Sequence, residues 1–217
     1  MDGKLVGQAD GPSNDKFSDF WGKLASKLKD NNNVIFGIMN EPHDLDLDKW
    51  AITVQQAITA IRNAGARNQM ILIPGSHFSA ASTFNVTYPA LKNVHDIDGS
   101  NNKIIFDVHA YLDSDHSGTN RDCVTANIDV FQQVQQILQA NNRQAMLTET
   151  GGGQTDSCIK YLKEQMDYIS QFPNQFIGWC GWSAGAFDPN YVLSLTPTQN
   201  DDGHDNQIWF QAFRSHL

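Results

Sequence analysis

The stretch VIFGIMNEPHD, Val34 to Asp44, runs through apolar residues without interruption and then stops on an amide, a carboxylate and a proline. A continuous apolar run of this length reads as a strand buried on both faces of a parallel sheet. Asn40-Glu41-Pro42 then places a carboxylate at the strand's C-terminal end, where burial is costly unless the charge is paired or used. The pattern recurs in MILIP from Met70, KIIFDVHAY from Lys103, AMLTET from Ala145 and FIGWCGW from Phe176. AMLTET ends on a second carboxylate, Glu149.

Amphipathic stripes separate these runs. Phe17, Phe20, Trp21, Leu24 and Leu28 follow helical spacing, with Ser13 or Asn14 as the N-cap. Trp50, Val54, Ala57, Ile58 and Ile61 repeat the pattern, as do Val130, Val134, Ile137 and Leu138, and then Ile159, Leu162, Met166 and Ile169. A last short helix is predicted over Ile208 to Phe213. A leading helix followed by five strand–helix units implies repeated right-handed crossovers.

An open doubly wound sheet and a (β/α)8 barrel both satisfy that plan. The dinucleotide-binding glycine fingerprint is missing, and polar residues gather after several different strands: Asn40-Glu41, Ser76-His77, His109 to Tyr111, Glu149 and Trp182-Ser183. A barrel collects such ends at one mouth. The predicted fold is therefore α/β of the (β/α)8 TIM-barrel type, incomplete, with about five units plus the leading helix and the first three units missing. Residues 1–217 read as a single partial domain. Open sheet edges attract partners, so self-association into a homo-oligomer is expected, ahead of two alternatives: a fragment of a longer enzyme, or early closure as a smaller barrel.

Fifteen Lys and Arg against 24 Asp and Glu give a net charge of −9, with no basic run. That balance argues against nucleic acid and anionic lipid as partners. No run of about 18 apolar residues suggests a membrane span. The N-terminal MDGKLVGQADGPSND has no secretory signal pattern. Asn85-Val86-Thr87 is a glycosylation triplet available to a secreted chain. Of three cysteines, Cys123 and Cys158 lie in polar, loop-like contexts, whereas Cys180 sits in an apolar run as a small buried hydrophobe. Pairing of Cys123 with Cys158 is expected, the alternative being three reduced thiols.

Two carboxylates at the mouth of a sugar-sized cleft suggest glycoside hydrolysis, one donating a proton and the other attacking as the anion. Asn40 stands beside Glu41 to meet a substrate hydroxyl. His109 and Tyr111 alternate on one strand face, and a Tyr111 hydroxyl donating to Glu149 would favour its charged form. The acidic DLDLD, Asp44 to Asp48, lacks the glycine and terminal Glu of a calcium loop and reads as a solvated helix start. No two His residues stand at ligand spacing on one strand or helix, so a metal centre is not expected.

Four motifs in order, IFGIMNEPHD, IIFDVHAYLDSDHSGT, LTETGGG and GWCGWSAGAF, resemble glycoside hydrolase family 5, in particular fungal endo-β-1,4-glucanases. The resemblance implies a secreted, retaining endoglucanase that acts on cellulose or soluble β-glucan. It makes Glu41 the acid/base and Glu149 the nucleophile. Asn40 would contact the sugar 2-hydroxyl, His109 and Tyr111 would orient the carboxylates, and Trp182 would form the sugar platform. It also implies the Cys123–Cys158 bridge and no cofactor. The family's first three strand–helix units have no counterpart here, nor do the active-site Arg and His they carry. PGSHFSAAS departs from the usual family run, so His77 and Phe78 are expected to touch the leaving-group half of the substrate. A catalytically weakened or purely sugar-binding remnant is the competing expectation.

Overall fold

A computed structural model describes residues 4–185, 188, 190–197 and 206–217. Ala186 and Phe187, the end of the last family motif, lie outside the described residues. The chain divides into two compact units, Met1–Asp107 and Val108–Leu217.

In the first unit, helix α1 (Asn14–Leu28) starts at Ser13, whose hydroxyl accepts the Lys16 N–H. Strand β1 is short, Phe36–Gly37, although Ile38 still donates its N–H to the Leu72 carbonyl. Helix α2 (Leu47–Asn63) is capped by Asp46, which accepts the N–H groups of Asp48 and Lys49. The acidic DLDLD loop therefore begins a helix, as read from sequence. Strand β2 (Ile71–Pro74) and the start of β3 (Ile104–His109) complete the pairing: β1 with β2, and β2 with β3, all parallel. Between them lies α3 (Phe84–Leu91), which no apolar stripe announced and which contains Pro89.

The core of this unit is the apolar face of the strands under the helices. Phe84 and Tyr88 of α3 close on Phe106 of β3, and Trp21 of α1 meets Phe36 edge-on. Trp50 is 2 % exposed and donates its indole N–H to the Pro74 carbonyl at 2.9 Å. Phe20, placed in the α1 stripe by its spacing, is 55 % exposed instead, because the buried face centres on Trp21 and Ala25. A buried ion pair ties the end of α2 to the approach to β3. Arg62 Nε donates to both Asp96 carboxylate oxygens at 3.0 and 2.9 Å, and Nη1 reaches the Ala66 carbonyl.

In the second unit, the end of β3 runs beside β4 (Ala145–Thr150): the Thr148 hydroxyl donates to the Val108 carbonyl and the Ala110 N–H to the Glu149 carbonyl. Strand β5 (Phe176–Gly181) pairs with β4 in parallel, with register shifts. Helices α4 (Ile128–Ala140) and α5 (Asp156–Ile169) cover the strands, and Phe131 of α4 packs edge-on against Phe176. The C-terminal helical turn Trp209–Phe213 stacks Phe213 on Trp179. Cys123 and Cys158 form a disulfide. Cys180 stays outside it and is exposed, not buried. The reason is that β5 is covered only in part, with Phe176 its one buried residue, so an apolar run did not mean burial on both faces.

Candidate active site

Asn40 and Glu41 follow β1 directly. Asn40 is exposed, and Glu41 is half-buried with φ 45°, a left-handed conformation uncommon for a residue with a side chain. Strain of this kind persists only where the surroundings enforce it, and it concentrates at working sites. A cleft of about 450 Å³ opens here, lined by Val6, Met39, Asn40, Glu41, Leu45 and Trp50.

The loop after β2 meets the same segment. His77, Phe78 and Ser79 take left-handed backbone angles in succession, φ 57°, 60° and 55°. The Phe78 N–H donates to the Pro42 carbonyl at 3.1 Å. The Phe78 ring, 51 % exposed, stacks on His43 with centroids 4.4 Å apart and an 18° tilt. Nothing in a linear pattern reports that two loops stack in this way. His77 itself is exposed beside this pair.

The second unit builds its site around Glu149, whose side chain is 12 % exposed. The Tyr111 hydroxyl donates to Glu149 Oε2 at 2.7 Å, and His109 Nδ1 lies 3.5 Å from the same oxygen. The two residues predicted to orient this carboxylate are therefore brought to it. Trp182 follows β5, is 40 % exposed, and donates its N–H to the Thr150 carbonyl at 2.8 Å, one residue past Glu149.

The residues that hold Tyr111 in place escaped the sequence reading. Asn127 Nδ2 donates to the Tyr111 carbonyl at 3.0 Å and faces Gln165 Oε1 at 3.4 Å, while Gln165 Nε2 donates to Thr150 Oγ1 at 2.8 Å. Asn127, Gln165 and Thr150 are all buried. This chain of amides joins the segments that carry Tyr111 and Glu149. Its one visible signal was a glutamine, Gln165, adjoining Met166 of an apolar helix stripe.

The loop after Tyr111 folds around Asp113, 2 % exposed, which accepts the N–H groups of Gly118, Thr119 and Asn120. Gly118 has φ 70° and lies against the Tyr111 ring, where an added Cβ would come within 2.7 Å. Tyr191 donates its hydroxyl to the Gly118 carbonyl. The triple glycine after Glu149 also has a packing reason. An added Cβ on Gly152 would stand 2.7 Å from Cys123 Sγ and 2.8 Å from Cys158 Sγ.

Comparison with known proteins places these features in context. A family model described as Cellulase (glycosyl hydrolase family 5) matches residues 4–188. Endoglucanase EG-II of Hypocrea jecorina is 49% identical over 201 residues, covering 91% of this chain and 48% of that protein. The manganese dependent endoglucanase Eg5A of Phanerodontia chrysosporium is 47% identical over 218 residues, covering 99% of this chain and 55% of that protein. The crystal structure of Cel5A (EG2) from Hypocrea jecorina (Trichoderma reesei) matches with a TM-score of 0.95 and 45% identity, covering 100% of this chain and 67% of that one. The chain spans about half the length of the curated relatives it matches.

Proposed function

Because this chain belongs to glycosyl hydrolase family 5, the cellulases, and carries five strand–helix units of an incomplete (β/α)8 barrel, we propose that it hydrolyses β-1,4-glucan as a retaining endoglucanase. Glu149 is the nucleophile and Glu41 the acid/base. The observation that carries the reading is the Tyr111 hydrogen bond to Glu149 Oε2, with His109 beside it, at the end of β4. A hydroxyl that donates to a mostly buried carboxylate favours the ionised form a nucleophile needs.

In the first step Glu149 attacks the anomeric carbon while Glu41, protonated, gives its proton to the departing glycosidic oxygen. A covalent glycosyl-enzyme results. Glu41, now a base, takes a proton from the water that displaces Glu149, and the configuration is retained. The mechanism requires both carboxyl groups to flank one glycosidic bond. Asn40 contacts the sugar 2-hydroxyl, a contact that strengthens as positive charge builds at the anomeric centre. Trp182, 40 % exposed, is the sugar platform, and the Phe78–His43 stack, with His77, meets the leaving-group half.

Glu41→Gln and Glu149→Gln are each expected to lower turnover of carboxymethyl-cellulose at least about 100-fold without loss of fold. Survival of most activity in either variant sinks the assignment. The rival is a catalytically weakened or purely sugar-binding remnant, which the endoglucanase relatives do not favour. A fluoroglycoside that traps the covalent intermediate, followed by mass spectrometry of the Glu149 peptide, separates the two. No metal takes a step in this scheme. The manganese in the name of the Phanerodontia relative belongs to that protein, and activity in chelator is expected to be unchanged here. Secretion is part of the proposal, in keeping with the Cys123–Cys158 bridge. Self-association is a further part, and a monomeric mass by light scattering at micromolar concentration removes it.

A further inference from the structure

The triplet Asn85-Val86-Thr87 occupies the first turn of α3. Its two ends are treated in opposite ways by the fold. Asn85 is exposed, Val86 is 56 % exposed, and the Asn85 amide enters none of the hydrogen bonds described for this unit. Thr87 is 3 % exposed. Its hydroxyl donates to the Phe84 carbonyl at 3.3 Å, and its side chain packs on Gly75, where an added Cβ would stand 3.0 Å from Thr87 Oγ1.

We propose that Asn85 is an N-glycosylation site, modified before this unit folds, and that the fold then presents the oligosaccharide outward from α3 over the exposed Val86. The inference rests on secretion, not on the hydrolytic mechanism. A transferase must engage the Thr hydroxyl as well as the Asn amide of the triplet, which is why the third residue is restricted to Ser or Thr. In the folded unit the amide is accessible but the hydroxyl is enclosed and committed, so the native protein is a poor acceptor while the unfolded chain is a competent one. Once attached, the sugar meets no obstacle, because Asn85 and its neighbour face solvent.

The co-substrate is a lipid pyrophosphate-linked oligosaccharide. The Asn85 Nδ2–C1 bond forms as the bond between C1 and the pyrophosphate oxygen breaks. The lipid pyrophosphate departs with that electron pair, and Nδ2 gives up one proton to a base of the transferase. No oxidation or reduction takes place.

The test is expression of the full chain behind a secretion leader in a yeast host, with intact mass measured before and after peptide amidase treatment. The secreted protein is expected to lose one oligosaccharide on treatment and to be left with an aspartate at position 85. Asn85→Gln and Thr87→Val should emerge unshifted and Thr87→Ser shifted. If Thr87→Val fails to fold, Asn85→Gln still carries the control. In a second arm, folded chain from bacteria and the same chain reduced and denatured are each given transferase and lipid-linked donor. Modification of the unfolded chain alone is the expected result. An unmodified Asn85 in the secreted wild-type chain overturns the site, and equal modification of folded and unfolded chain overturns the order of events. Neither result depends on cellulose hydrolysis, so failure here is distinct from failure of the catalytic assignment.

Discussion

Tyr111 donates its phenol to Glu149 Oε2 at 2.7 Å, and its neighbour Ala110 donates a backbone N–H to the Glu149 carbonyl. The second contact sets the two segments side by side, and the first directs a hydroxyl at the carboxylate. Tyr111→Phe keeps the ring against Gly118 and removes only the donor. Hydrogen bonds to charged groups contribute about 1.5–3 kcal/mol, so kcat is expected to fall about ten- to hundredfold. The lost donor stabilised the anion, so the acid limb of the pH–rate profile moves to higher pH. An unmoved acid limb would show that this hydrogen bond does not tune Glu149, the proposed nucleophile.

Gly152→Ala brings a methyl group against both sulfurs of the Cys123–Cys158 bridge. Overpacking of this kind costs about 1–3 kcal/mol, which thermal melting will register as a lower midpoint. After reduction the sulfurs can part, and the penalty of the substitution should shrink. An equal penalty in oxidised and reduced protein would place its cause elsewhere.

The Arg62–Asp96 pair is buried on both sides, at 1 % and 6 % exposure. Its formation is weak evidence of stability, but removal of one partner strands the other charge at a cost of about 3–5 kcal/mol. Arg62→Met and Asp96→Asn are each expected to lower urea midpoints by amounts in that range, and the double variant by less than their sum. Additive losses would mean that the two side chains act independently.

Acid should weaken the fold through several surface carboxylates. The Lys49 N–H holds the Asp46 cap below its ordinary 3.8, the Ser117 hydroxyl does the same for Asp115, and the Lys163 ammonium with His216 does so for Asp167. A depressed folded value means that the contribution is complete above the unfolded pKa and is lost as pH falls through the folded one. Stability should therefore be level above about pH 5 and decline below about pH 4. Asp46→Asn, which retains a capping oxygen, should flatten part of that decline.

Much of this was legible without coordinates. Each apolar run became a strand and each stripe a helix, because burial imposes period two or 3.6 on whatever residues satisfy it. The failures have a common origin. Phe20 and Cys180 sit in patterns that demand burial, yet both are exposed, since a pattern specifies which face is apolar and not whether something covers it. Helix α3 passed unseen because its turn is held by contacts to Phe106, far along the chain.

By itself the sequence determined the order of strand–helix units, the carboxylates that end two of them, and the family to which they belong. It did so because strand alternation, helix spacing and motif order are properties of neighbours along one chain. Only the tertiary structure decided that Asn127 and Gln165 brace Tyr111, that Phe78 stacks on His43, and that Thr87 is sealed while Asn85 is open. Those relations depend on directions and distances between segments remote in sequence, which are fixed by packing and leave no periodic trace.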